Sequence, residues 1–103
     1  MLALMTGEGL PPSLTEQIYL PQVALLPGDP TRALTGETAW GLGLAIEPTP
    51  DGTRFEHGGN NGDFQSGMMF YRSLGIGYVY FSNSDRGQGF NPQIEKLLAR
   101  GIE

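Results

Sequence analysis

From Trp40 onward the chain steps in twos. Trp40, Leu42, Leu44 and Ile46 alternate with Gly41, Gly43 and Ala45, and a period of two belongs to an extended strand whose two faces meet different surroundings. One face here is bulky and the other almost bare, so something is expected to pack closely on the small side. Pro48 to Gly52 supplies a turn and Thr53 to His57 resumes the extended pattern, so these two segments are expected to form an antiparallel hairpin. Gly58-Gly-Asn-Asn-Gly62 breaks the run as a loop. A third strand near 66–72 and a fourth near 76–81, joined by Ser73-Leu-Gly75, are apolar on both faces, the pattern of strands covered twice. Beyond them Asn91 is placed to cap a helix with Pro92 at its first position, with Ile94, Leu97 and Leu98 on one face and Gly101 at its end. The expected fold is α+β: an antiparallel meander of about four strands with a C-terminal helix on one face.

The 38 residues ahead of this pattern carry five prolines and one short helical signal. Pro12-Ser13-Leu-Thr-Glu16 has the form of a capping box, Leu14 and Ile18 share a face at i, i+4, and Pro21 closes the helix. Pro27-Gly-Asp-Pro30 is turn chemistry. The chain thus divides into a Pro/Gly-rich segment, 1–38, and a sheet-plus-helix segment, 39–103, within the one compact domain that 103 residues allow. Leu, Ile, Val and Phe make up about a quarter of it, enough to fold. With 16 Gly and 8 Pro, long coiled coils are excluded.

Charge and composition remove several function classes. The net charge is −5 and no Lys or Arg cluster exists, so phosphate-mediated nucleic-acid binding has no electrostatic footprint. The absence of cysteine excludes disulfides, thiolate chemistry and Cys-based zinc sites. Met1-Leu-Ala-Leu-Met5 is too short and lacks the basic flank of a signal peptide or membrane span, so a soluble, cytoplasmic product with no membrane partner is expected. His57 is the only histidine and the only side chain whose ordinary pKa lies near neutrality. Position alone favours a hydrogen-bonded structural residue over a catalyst, and with no second His or Cys beside it a metal site is not expected. Nor is a cofactor, since the Gly58–Gly62 run lacks the Lys-Ser/Thr ending and following helix of a phosphate loop. Ser82-Asn-Ser84-Asp85 has the composition of an ordinary strand exit, and Phe70, Tyr71, Tyr78, Tyr80 and Phe81 that of sheet packing.

Taken in order, Trp40-Gly-Leu-Gly-Leu44, His57-Gly-Gly59, Gly62-Asp-Phe-Gln-Ser66 and Gly77-Tyr-Val-Tyr-Phe-Ser-Asn-Ser84 resemble the C-terminal part of the serine β-lactamase-like family, which includes class C β-lactamases, DD-peptidases and related esterases. The likeness runs from about Trp40 to the final helix. It implies a partial β-lactamase/transpeptidase-like fold with His57-Gly58-Gly59 at the family's third signature, on the strand that walls the active site. His57 would then sit beside the reacting acyl group, Gly59 would leave the approach open, and the backbone N–H of Asn60 would be one of two oxyanion donors. The family's nucleophile comes from Ser-x-x-Lys and its helper from Tyr-x-Asn or Ser-x-Asn, upstream of this region. No Ser-x-x-Lys or Tyr-x-Asn occurs in the chain, and Ser82-Asn83-Ser84 neither matches Ser-x-Asn nor lies upstream. The resemblance therefore implies a C-terminal fragment of a serine hydrolase, inactive alone; the alternative is a non-catalytic binding or assembly module that kept the sheet. In the family fold the strand matching Gly77 to Phe81 pairs with strands from the N-terminal end of the full protein, so the resemblance implies an unpaired edge there, and the expected partner is a second copy in a homodimer or an upstream complementary chain.

Overall fold

Alternation becomes sheet, with more strands than its period suggests. The computed structural model describes residues 1–102 and contains one antiparallel sheet whose strand order follows the chain: β1 (Val23–Ala24), β2 (Ala39–Trp40), β3 (Ala45–Thr49), β4 (Gly52–Asn60), β5 (Gln65–Tyr71) and β6 (Ile76–Ser82). Helices α1 (Leu2–Thr6), α2 (Pro12–Tyr19) and α3 (Pro30–Thr35) come before β2, and α4 (Phe90–Ile102), entered through a 3₁₀ turn at Gly87–Gly89, follows β6. This is an α+β architecture, a meander closed by a C-terminal helix, compatible with part of the fold that the motifs resemble. Among the described residues no helix is long and apolar enough to cross a membrane.

The run from Trp40 to Ile46 is a hairpin rather than one strand. Ala39 pairs with Ile46 and Trp40 with Ala45, while the Gly41 N–H donates to the Leu44 carbonyl at 2.8 Å. The same glycines that make one face bare let the chain reverse, Gly43 at φ +89°. The close packing expected on the small side is present: the Ile18 carbonyl at the end of α2 occupies the space a Gly41 side chain would need, and accepts the Leu42 N–H at 3.2 Å.

Three helix readings change. Ser13 and Glu16 form no capping box, because α2 begins at Pro12 without a side-chain cap; Glu16 instead meets Arg72 of the β5–β6 turn at 2.8 Å, and Leu14 stays exposed. The Pro27–Pro30 turn leads into α3, with Asp29 accepting the Thr31 N–H at 2.8 Å and Pro30 in the first turn. In α4, Asn91 lies inside the first turn and the helix runs through Gly101 to Ile102. Its inward positions are Asn91, Ile94, Glu95 and Leu98, at i, i+3, i+4, i+7, which turns Leu97 out to solvent.

Cross-strand partners share a face, so the register separates two layers. On the first, Ile46, Phe55 and Phe70 join Ala39, Leu44, Met5 and Tyr19 in the apolar core under α1 and α2. The Tyr19 ring meets Phe55 and Phe70 edge-on at 4.7 and 6.2 Å, and its hydroxyl donates to the Leu4 carbonyl. The N-terminal residues are thus part of the core. They do not reach β6, where Val79 and Phe81 are exposed on this face, so the fourth predicted strand is not covered twice. On the second layer, Ala45, Arg54, Glu56, Met69, Tyr71, Tyr78 and Tyr80 lie on the side that α4 covers.

Candidate active site

β4 outlasts its neighbour. β3 pairs with it only as far as Ala45↔Glu56, whereas β5 continues to pair through His57↔Met68, Gly58↔Gly67, Gly59↔Ser66 and Asn60↔Gln65. Residues His57 to Asn60 therefore have a strand on one side only. Sequence places His57 at a strand end followed by a five-residue loop; instead the strand continues three residues past it and only Asn61 to Phe64 turn. Gly58 and Gly59 lack side chains but keep ladder partners, which is why they extend the strand.

The direction of the backbone follows from the turn. The Asn61 N–H donates across it to the Phe64 carbonyl at 2.9 Å. Successive N–H groups of an extended chain point to opposite sides, so those of Asn60 and Gly58 point away from β5, to the side where β3 has ended. The Asn60 side chain is occupied by the turn, its Oδ1 accepting the Gly62 N–H at 3.0 Å, with Gly62 at φ +77°.

Two glutamines hold this strand end. Gln65, 8% exposed, donates through Nε2 to the carbonyls of Asp85 at 2.7 Å and Gly62 at 3.3 Å, and accepts the Gln88 N–H at 2.9 Å. Gln88 in turn donates from its amide to the Gly59 carbonyl at 3.1 Å. Glycine makes this possible: a Cβ on Gly58 would crowd the Gln88 amide at 3.3 Å, and one on Gly67 would meet the Tyr80 ring at 2.7 Å. Neither glutamine stands out in the sequence, although a Gln opening an otherwise apolar strand is a signal that a buried polar network begins there. Ser82-Asn-Ser84-Asp85 is the ordinary strand exit expected, with Ser82 and Ser84 hydroxyls accepting the N–H groups of Ser84 and Arg86.

His57 is exposed, its ring edge-to-face with Trp40 at a centroid distance of 5.9 Å. Ser66 lies diagonally across the ladder on the same face, its hydroxyl over Gly59, and no hydrogen bond joins it to His57. The expected alternation holds, with Phe55 and His57 following one face and Arg54 and Glu56 the other.

Behind the strand, on the α4 side, a cavity of about 440 Å³ reaches His57 and Gly58 and is lined by Glu37, Arg54, Glu56, Tyr78 and Glu95 among others. Arg54 is its centre: it bonds Glu47 through Nε at 2.9 Å and lies 3.7 Å from Glu56 and 3.4 Å from Glu95. Burial works against the Arg54 charge, but Glu56, Glu47 and Glu95 together push its pKa above the usual range. Burial likewise raises Glu56, to about 8; Arg54 pulls it down, and the neighbouring Glu37 and Glu47 add to the rise. Burial, then Glu95, pushes the Tyr78 phenol up. Sequence alternation gives the shared face of Arg54 and Glu56 but not the arrival of Glu37 and Glu95 from distant segments. Among the described residues no group of His, Asp and Glu has the arrangement of a metal site.

Residues 1–101 match the family model described as Beta-lactamase, a span that takes in the N-terminal segment the motifs left out. No curated protein and no solved structure matches the chain.

Proposed function

The chain belongs to the Beta-lactamase family, and from that premise we propose that His57, Gly59 and Asn60 form one wall of a serine acyl-transfer site whose nucleophile these 103 residues do not encode. What supports this is the free side of β4: the Asn60 N–H points into a space that no strand fills, next to a residue without a side chain. A carbonyl approaching that side meets an oriented donor fixed before it arrives, the requirement for stabilising an oxyanion as charge develops. Gln65 and Gln88 hold the strand end against displacement from the other side. His57, exposed and one strand position from Gly58, borders the same space and would face the acyl group.

Acyl transfer of the β-lactam, D-peptide or ester kind also needs an activated hydroxyl. Ser-x-x-Lys and Tyr-x-Asn are absent, and Ser66, on the His57 face, has no hydrogen-bonded base among the described residues. The nucleophile and its activating group must therefore come from other residues, in the same polypeptide or another chain. The chain by itself is then a folded wall rather than a catalyst. Purified protein is expected to turn over neither a chromogenic cephalosporin nor a nitrophenyl ester above background. Saturable turnover abolished by Ser66→Ala, or by any other single Ser→Ala change, overturns this. A separate check is amide hydrogen exchange: Asn60 N–H should exchange as a free donor while Asn61 N–H is protected.

A further inference from the structure

His57 and Trp40 are the single histidine and the single tryptophan of the chain, and the fold brings their rings together. Register alone does not do this. Trp40 pairs with Ala45 and Ala45 with Glu56, so Trp40 and Glu56 belong to the layer that α4 covers. His57, one residue further along β4, alternates to the layer behind. In a continuous sheet the two rings would lie on opposite faces. They meet, with centroids 5.9 Å apart and planes at 84°, because β3 pairs with β4 no further than Ala45 and no strand stands between them. The imidazole thus reaches across the open side of β4, and it also lines the cavity on the α4 side. That open side is the one to which the N–H groups of Gly58 and Asn60 point.

We propose that Trp40 is a positioning residue, whose indole draws the His57 ring across the open edge of β4 and holds it beside the space for the acyl group; this rests on the acyl-transfer reading of that wall. Trp40 is itself fixed. β2 has a strand on each side, with Val23↔Trp40 and Trp40↔Ala45 in register, and the Gln22 N–H donates to the Trp40 carbonyl at 2.8 Å. Ala45, between Trp40 and Glu56, carries only a methyl group, so the indole has room to extend over it toward β4. His57 is the opposite case. It is exposed, and among the described residues its ring has Trp40 as aromatic partner and no hydrogen bond. The ionisable side chains that line the cavity behind it are Glu37, Arg54, Glu56, Tyr78 and Glu95, and none of them hydrogen-bonds the imidazole. An exposed ring without hydrogen bonds hops between rotamers on the picosecond to nanosecond scale. An edge-to-face contact with a fixed indole selects one of them.

The test uses the chain as it stands. With one tryptophan and one histidine, indole emission reports on this pair. An imidazolium in contact with an indole quenches it more strongly than a neutral imidazole does, so emission should fall between pH 8 and pH 5, where imidazoles ordinarily titrate. His57→Gln should abolish that loss, and Glu56→Gln should keep it. By nuclear magnetic resonance, three-bond couplings should give one dominant His57 χ1 rotamer in the native chain and an average over rotamers in Trp40→Leu. Trp40→Phe should restore the single rotamer, with circular dichroism unchanged in both variants. Should Trp40→Leu fail to fold, the native chain decides through Overhauser contacts between the two rings together with the emission loss. Equal emission at both pH values, averaged His57 rotamers in the native chain, or a single rotamer that survives in folded Trp40→Leu overturns the proposal. None of these readouts depends on turnover, so their failure strikes Trp40 and not the acyl-transfer reading, whose own check is exchange of the Asn60 N–H.

Discussion

The two faces of this sheet are built on opposite principles. Under α1 and α2, Ile46, Phe55, Phe70 and Tyr19 pack apolar surface against apolar surface. On the face that α4 covers, Arg54 gathers carboxylates from two strands and one helix, and Tyr78 bonds Glu95. Apolar burial does not depend on pH, whereas a buried charge cluster is stabilising only while its protons are correctly placed. One face should therefore act as a fixed anchor and the other as an adjustable one, and α4 is attached through the adjustable face.

The largest expected effect lies on the fixed face. Phe70 has no exposure and touches both Tyr19 and Phe55, so Phe70→Ala should cost about 3–5 kcal/mol by leaving a cavity, equally at pH 5 and pH 9 in urea titrations. Arg54→Ala strands Glu47, Glu56 and Glu95 in a half-buried site. Its cost should reach about 3 kcal/mol at pH 9 and shrink at pH 5, where carboxyls can take up protons. Equal costs at both pH values would remove the distinction between the faces.

Legibility in the sequence follows the same division. The antiparallel meander from Thr53 to Phe81, the opposite faces of Phe55 and Glu56, and the strand exit at Ser82 are set by neighbours in sequence, and period two suffices to find them. The β2–β3 hairpin was hidden because Gly41 and Gly43 satisfy alternation and chain reversal equally. The extension of β4 through Gly58 and Gly59 was hidden because glycine has no side chain to show a period; only Ser66 and Gly67 across the ladder reveal it. Gln65 and Gln88 meet across 23 positions, and Glu37 reaches Glu56 from before β2. Such contacts depend on tertiary packing and leave no local trace. The family motifs marked His57, Gly59 and Asn60, but the free side of the strand is a property of where β3 stops.

Glu56 sharpens the comparison. Its folded-state pKa is raised to about 8, so the native state holds a proton that the unfolded chain releases near 4.5. A raised value means that this group's stability is fully present below about pH 4.5 and is lost as pH rises through 8. Stability of the native chain should fall across that window. Glu56→Gln keeps the shape without the charge and should flatten the fall, gaining about 1–2 kcal/mol at pH 9 and nothing at pH 4. Thermal unfolding of both proteins at a series of pH values measures it; parallel curves would mean that Glu56 titrates alike in the folded and the unfolded chain.

The smallest effect probes whether the polar face is fully satisfied. Tyr80 lies with its ring over Gly67, 6.1 Å from Tyr78 and 6.0 Å from Phe90, and its hydroxyl is buried without a hydrogen-bond partner among the described residues. Burial without a partner pushes its pKa up, the same penalty seen from the ionised side. A lone buried hydroxyl costs free energy that its ring does not need for packing. Tyr80→Phe removes the oxygen and keeps the ring on Gly67, so it should be neutral or stabilising by up to about 1 kcal/mol in urea titrations. Tyr78→Phe makes the control, because that hydroxyl bonds Glu95 at 3.3 Å and its loss should be neutral or destabilising. A loss of stability in Tyr80→Phe would show that its hydroxyl has a partner in solution, and the α4 face would then be as fully satisfied as the apolar one.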